Sequence, residues 1–145
     1  MFKRIDHVGV IVDDLDEAKS QLKRLGMTFK REFAAGEQLK GAFYGCGEGE
    51  ADIEIIEIIE PRERAERLGT GRARIEHVGV EVDDLAATME ALRSLGVAFK
   101  SEEPLAVGNT VNVWTTAESC DGIGYQLTQY TSAVPSIEPE RPSDT

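Results

Sequence analysis

Cysteine is scarce in this 145-residue chain: there are two, Cys46 and Cys120, in no metal-knuckle spacing. They read as reduced thiols of a reducing compartment, so the expected location is cytoplasmic. Long apolar runs are missing too; none approaches the roughly 20 residues a membrane span needs. The opening Met1–Asp6 runs straight into a strand pattern and does not read as a signal peptide. Positive charge is in deficit, with 16 Lys and Arg against 27 Asp and Glu and a net charge of −11. A surface of that sign repels nucleic acid and anionic membranes, and neither is an expected partner. The one basic cluster, Arg62, Arg64, Arg67, Arg72 and Arg74, is interleaved with Glu63, Glu66 and Glu76. It reads either as a solvated helix and turn or as a local site for an anionic substrate tail. Histidine is limited to two residues, His7 and His77.

What is present suffices for a core. Hydrophobic residues make up 41% of the chain, and its length suits one compact domain or two small fused units. The chain also repeats itself. Ile5-Asp6-His7-Val8-Gly9-Val10 returns as Ile75-Glu76-His77-Val78-Gly79-Val80, at an offset of 70. From residue 5 to 30 the match is gapless, with fourteen of twenty-six positions identical, which makes it a structural repeat.

Each copy predicts the same order of elements. Residues 5–12 and 75–82 alternate and are rich in Val and Ile, as strands are. Asp13 and Asp83 stand where helix N-caps belong, and Gly26 and Gly96 where the helices end. Strands are expected at about 27–34, 39–46 and 51–60, then a helix at 61–68 after Pro61 and a Gly69-Thr70-Gly71 linker. The second copy continues with strands near 97–102, 107–115 and 122–130. The expectation is an α+β fold of two tandem βαβββ modules, about 1–68 and 72–130, in a single 1–130 domain. Residues 131–145 mix Pro, Ser and Glu without period and read as a disordered tail.

Alternation sorts the side chains of a strand onto two faces. Val8, Val10 and Val12 are expected under the following helix, which turns His7 the other way, and the repeat turns His77 identically. In Ile53-Glu54-Ile55-Ile56-Glu57-Ile58-Ile59-Glu60, Glu57 shares a face with Ile53, Ile55 and Ile59. A carboxylate on an apolar face is costly unless a charge or metal offsets it. The counterpart of Glu57 in the last strand is taken as Gln126, at an offset of 69. The expected metal set is therefore His7, Glu57, His77 and Gln126. Nitrogen and oxygen donors without thiolate suit Co, Mn, Ni, Fe or Zn as a divalent ion.

These stretches, with Glu57-Ile58-Ile59-Glu60-Pro61, Val82-Asp83-Asp84, Glu103-Pro104, Asn109-Thr110-Val111-Asn112 and Leu127-Thr128-Gln129-Tyr130, resemble the vicinal oxygen chelate superfamily of glyoxalase, bleomycin resistance and dioxygenase proteins. Within it they are most similar to methylmalonyl-CoA epimerase-like proteins. The resemblance implies a mixed sheet curled around a metal-binding cavity. It also implies His, Gln, His and Glu ligands in chain order, which match His7, Glu57, His77 and Gln126 with Glu and Gln exchanged. The implied function is a metal-dependent isomerase, epimerase or glyoxalase-type lyase. Such an enzyme removes a proton next to a carbonyl or thioester through a metal-stabilised enolate, with Glu57 and Gln126 as the catalytic pair. The family's third-strand glutamate has no counterpart in Gln38–Phe43, and Lys40 is the nearest alternative proton donor. The implied substrate is a small carbonyl compound or acyl-CoA, and the implied assembly a homodimer. Two alternatives stay open: a dioxygenase with a 2-His-1-carboxylate centre, and a non-catalytic small-molecule-binding or resistance protein.

Overall fold

The computed structural model describes residues 1–131; the expected tail, apart from Thr131, lies outside the described residues. The element order is β1 (Arg4–Val12), α1 (Leu15–Arg24), β2 (Thr28–Ala35), β3 (Leu39–Gly45), β4 (Asp52–Ile58), α2 (Pro61–Arg67), β5 (Ala73–Glu81), α3 (Leu85–Ser94), β6 (Leu105–Val107), β7 (Thr110–Trp114) and β8 (Gly124–Tyr130). The fold is α+β, with the βαβββ order appearing twice as the repeat requires. No described helix is long and apolar enough to cross a membrane.

The chain divides into two compact units, Asp6–Val78 and Met1–Ile5 with Gly79 onward. The boundaries fall inside β1 and β5. In the Asp6–Val78 unit the strand order is β2-β3-β4-β1-β5. Strand β4 runs parallel to β1 and antiparallel to β3, and β2 is antiparallel to β3. One face of this sheet packs under α1: Val12, Leu15, Ala42, Tyr44 and Ile55 form its buried centre, with Val10, Ala18, Leu22 and Ile53 around them. The opposite face carries Ile11, Ile56, Ile58 and Leu68, flanked by Phe33 and Leu39. Ile11 and Ile58 are fully buried, and each contributes roughly 1.5–3 kcal/mol through removal of its side chain from water.

The other unit repeats the pattern with order β5-β8-β7-β6, both β6 and β8 being antiparallel to β7. The helix caps lie one residue beyond their expected places. The Asp14 carboxylate accepts from the Glu17 N–H at 3.2 Å, and Asp84 accepts from the Ala87 N–H at 3.0 Å. Gly26 and Gly96 end the helices in the left-handed region, at φ 89° and 96°. The strand expected at 97–102 is reduced to a single bridge between Phe99 and Thr115. Exposed Glu102 and Glu103 lead to Pro104, which has no N–H to donate, and regular pairing starts only at Leu105.

Candidate metal centre

Strand pairing brings one carboxylate to the two histidines. Glu54 lies directly opposite Gly9 on β1 and opposite Phe43 on β3. It therefore shares the face of Ile56 and Ile58, away from α1. The His7 and His77 rings project to this face, 3% and 8% exposed, with their centroids 5.3 Å apart and their planes nearly perpendicular. Both Nε2 atoms converge on the same oxygen, Glu54 Oε1, at 3.3 Å from His7 and 3.2 Å from His77. One donor atom from each residue lies within 4.8 Å of the others. Gly9 provides the room: a Cβ at that position would overlap the His77 ring.

Each ring is also held from behind. His7 Nδ1 lies 2.8 Å from Asp6 Oδ2, and His77 Nδ1 lies 2.9 Å from Glu76 Oε1. A carboxylate accepting from Nδ1–H orients the ring and turns Nε2 forward, the usual support of a metal-binding imidazole. Glu76 is itself gripped by Arg67, whose Nε and Nη2 donate to its two oxygens at 2.7 and 2.8 Å. Burial would raise the Glu76 carboxyl, but the Arg67 and His77 hydrogen bonds outweigh it and hold the group at about 2. Burial likewise works against a proton on His77, yet hydrogen bonds to Glu54 and Glu76 raise its pKa to about 9. Two imidazoles supported through Nδ1 and one carboxylate, all converging, form a donor set that fits a divalent ion.

His7 and His77 come together; Glu57 does not join them. Its Oε1 accepts from the Leu15 N–H at 2.8 Å, on the α1 face with Ile53 and Ile55. There it satisfies a backbone donor at the start of α1 and faces the positive end of the helix dipole. Gln126 lies in the other unit, opposite Trp114, and its amide donates to Asn112 Oδ1 at 3.0 Å. Lys40 lines a cleft with Leu15, Asp16, Lys19 and Glu32 beside α1, again the face without histidines. The basic cluster is largely committed within the protein: Arg64 donates to the Ile58 and Asp13 carbonyls, Arg67 to Glu63 and Glu76, and Arg72 to Glu17.

The two units also correct the pairing of the repeat. Leu15 N–H donates to Glu57, and at the same point of the second copy Leu85 N–H donates to Gln129 at 2.7 Å. The counterpart of Glu57 is thus Gln129, at an offset of 72. By the same offset the counterpart of Glu54 is Gln126. Each stands opposite an aromatic residue, Phe43 or Trp114. Sequence reasoning missed Glu54, Asp6, Glu76, Arg67 and Gly9. A signal was present for two of them, since both copies place an acid immediately before the histidine.

Residues 6–114 match the family model of the Glyoxalase/Bleomycin resistance protein/Dioxygenase superfamily. Among solved structures, a methylmalonyl-CoA epimerase from Mycobacterium tuberculosis is similar at 23% identity and a TM-score of 0.81, with 93% of each chain covered. A selenomethionine form of a methylmalonyl-CoA epimerase is 24% identical, with a TM-score of 0.78 over 91% of this chain and 98% of that one. A methylmalonyl-CoA epimerase in complex with methylmalonyl-CoA and NH4+ is 21% identical, with a TM-score of 0.72 over 92% and 98%. Likeness at these identities establishes a shared fold. No curated protein matches the chain.

Three outcomes follow from the geometry. Gly9→Ala should displace the His77 ring and weaken Co²⁺ binding by tenfold or more (about 1.4 kcal/mol) while the circular dichroism spectrum is kept; unchanged affinity would show that His77 does not need this space. Glu57→Ala should lower unfolding stability by ~1 kcal/mol, as loss of a helix-capping acceptor does, without changing metal content; loss of metal would return Glu57 to the donor set. In chelator-treated protein, the stability contributed by the His77 proton should be complete below the ordinary value of 6.5 and disappear as pH rises through about 9. That follows because a raised folded-state pKa favours the protonated native form. Denaturation at pH 6 to 10 reads this out, and His77→Ala should flatten that part of the profile.

Proposed function

Because the chain belongs to the glyoxalase/bleomycin resistance protein/dioxygenase superfamily, we propose that it is a divalent-metal-dependent enzyme of isomerase or epimerase type. It acts at a carbon next to a carbonyl or thioester, in a small carbonyl compound or acyl-CoA. The observation that carries this reading is the convergence of His7 Nε2, His77 Nε2 and a Glu54 oxygen, each imidazole braced at Nδ1 by its own carboxylate. His7, His77 and Glu54 would hold the ion, which when bound supplies Lewis-acid polarisation of a substrate carbonyl.

The rest of the chemistry belongs to the chain. Glu54 Oε1 faces both imidazoles, and Oε2 has no hydrogen-bond partner among the described residues. That oxygen is the group placed to take a proton from the substrate carbon. The electron pair left behind delocalises into the carbonyl, and the proton returns from Glu54 Oε2 to the same or a neighbouring carbon. Within the Asp6–Val78 unit Glu54 is the carboxylate that meets both imidazoles at Nε2, whereas Asp52, opposite His7 on the same face, is paired with Lys30. A single base suffices for a proton shift between adjacent positions, whereas epimerisation through two bases needs a second group on the far side of the carbon. The apolar surroundings of Ile56 and Ile58 strengthen the electrostatic interactions made there.

The same donor set supports a second reading. Two histidines and one carboxylate are the ligands of non-haem Fe(II) oxygenases, so oxygen consumption with Fe²⁺ and a catechol-type substrate would identify a dioxygenase.

Elemental analysis should find Co, Mn, Ni, Fe or Zn with the wild-type protein and none with His7→Ala/His77→Ala of unchanged circular dichroism. Deuterium wash-in next to the carbonyl of an acyl-CoA test substrate should fall by about 10²–10⁴-fold in Glu54→Gln, the usual contribution of a general base. Equal metal in wild type and double mutant would remove the site. Equal wash-in for Glu54→Gln would leave Glu54 as a ligand at most.

A further inference from the structure

The row of residues that carries the candidate centre extends two strands further than the metal donors. Arg31 on β2 stands directly opposite Phe43, Phe43 opposite Glu54, and Glu54 opposite Gly9, over which the His77 ring lies. Directly opposed residues share a face of a sheet, so Arg31 is on the histidine face. A bulge puts it there. The β2–β3 register runs Phe29↔Tyr44 and then Arg31↔Phe43, leaving Lys30 unpaired. Phe29 consequently packs edge-on against Tyr44 on the α1 face, while Arg31, two residues on, faces the other way. In an unbulged strand these two side chains would share one face; re-aiming a side chain is what a bulge does.

The guanidinium carbon of Arg31 sits 4.0 Å above the Phe43 ring centroid. Phe43 in turn meets the His7 ring edge-on at a centroid distance of 5.8 Å. Arg31 is therefore within about 10 Å of the His7 ring, roughly one Debye length at 0.1 M ionic strength. The cation is exposed, and no carboxylate among the described residues lies within ion-pair distance of it. Its neighbours differ in this respect: Lys19 is paired with Glu32, Lys30 with Asp52, and Arg67 with Glu63 and Glu76. In a chain of net charge −11, a small anion approaching this face needs such a local cation. Stacking on Phe43 keeps the planar donor fork in place for bidentate contact.

We propose that Arg31 is a substrate-binding residue that selects compounds carrying a small anionic group, carboxylate or phosphate, beyond the carbonyl at the candidate centre. This rests on the proposed function for the reacting end of the substrate, while the anion contact itself needs no metal.

The test uses the full-length chain, both Co²⁺-loaded and chelator-treated, titrated calorimetrically with malonate and with inorganic phosphate at constant ionic strength. The wild type should bind at least one of the two, and the tighter one identifies the anionic class. Arg31→Gln should weaken that binding by about tenfold or more in both forms, the size of a lost charge-assisted bidentate contact. Arg31→Lys should retain part of it. Arg24→Gln, which removes an exposed cation on α1 that donates to the Gln21 amide oxygen, should leave binding unchanged. In His7→Ala/His77→Ala protein, binding should still depend on Arg31. Arg31-dependent binding in a wild type that never takes up metal would sustain this assignment while the metal reading falls. Binding by Arg31→Gln equal to wild type, an equal loss in Arg24→Gln, or no binding of either anion by the wild type would overturn it.

Discussion

Glu54 between two imidazoles is the contact on which the rest of the candidate site turns, and the parallel pairing of β1 with β4 puts it there. Gly9 faces Glu54 in that register. A slip of one residue would turn Glu54 under α1 and bring isoleucines to the histidines, because the side-chain period of a strand is two. Several otherwise unrelated features answer to the same register. Gly9 must lack a side chain because the His77 ring lies over it. Glu57, three positions after Glu54, is turned to the first N–H of α1. The Ile56 and Ile58 side chains close the histidine face, while Ile53 and Ile55 close the helix face.

Gathering acids around two imidazoles that are under one-tenth exposed carries a desolvation cost that each group alone could not sustain. The chain meets it with continuity: Glu63, Arg67, Glu76, His77, Glu54, His7 and Asp6 are linked by successive polar contacts of 2.7–3.3 Å. Arg67 belongs to α2, so this short helix, polar along its length, acts as a brace for one of the two histidines. The brace explains why a basic cluster in an acidic protein is spent internally, while the guanidinium of Arg31 stays available on the face of the site.

The two copies of the repeat have diverged at the position that matters. The first strands are offset by 70 and the last by 72, so two residues have been added in the second copy between its helix and its final strand. The sequence pattern alone does not reveal such a change, and the expectation paired Glu57 with Gln126 at an offset of 69. The hydrogen bonds to Leu15 and Leu85 show that the pairs are Glu57 with Gln129 and Glu54 with Gln126. In both pairs the first copy holds a carboxylate and the second its amide.

Much of this was legible without coordinates. The doubled Ile-acid-His-Val-Gly-Val stretch specified two βαβββ copies and singled out both histidines, because period-two alternation and capping residues are local properties of the chain. Which glutamate of Ile53–Glu60 meets them was not local. That segment has isoleucine on both faces, so its pattern is compatible with either orientation, and the expectation took Glu57. Only pairing with β1, which aligns Glu54 with Gly9, and the free N–H at the start of α1, which claims Glu57, break the tie. The same holds for Arg31, whose face depends on one unpaired residue in β2 that no periodicity reveals. Local sequence sets which residues form strands and helices, but the face a side chain occupies is decided by register, and register exists only once two strands are hydrogen-bonded together.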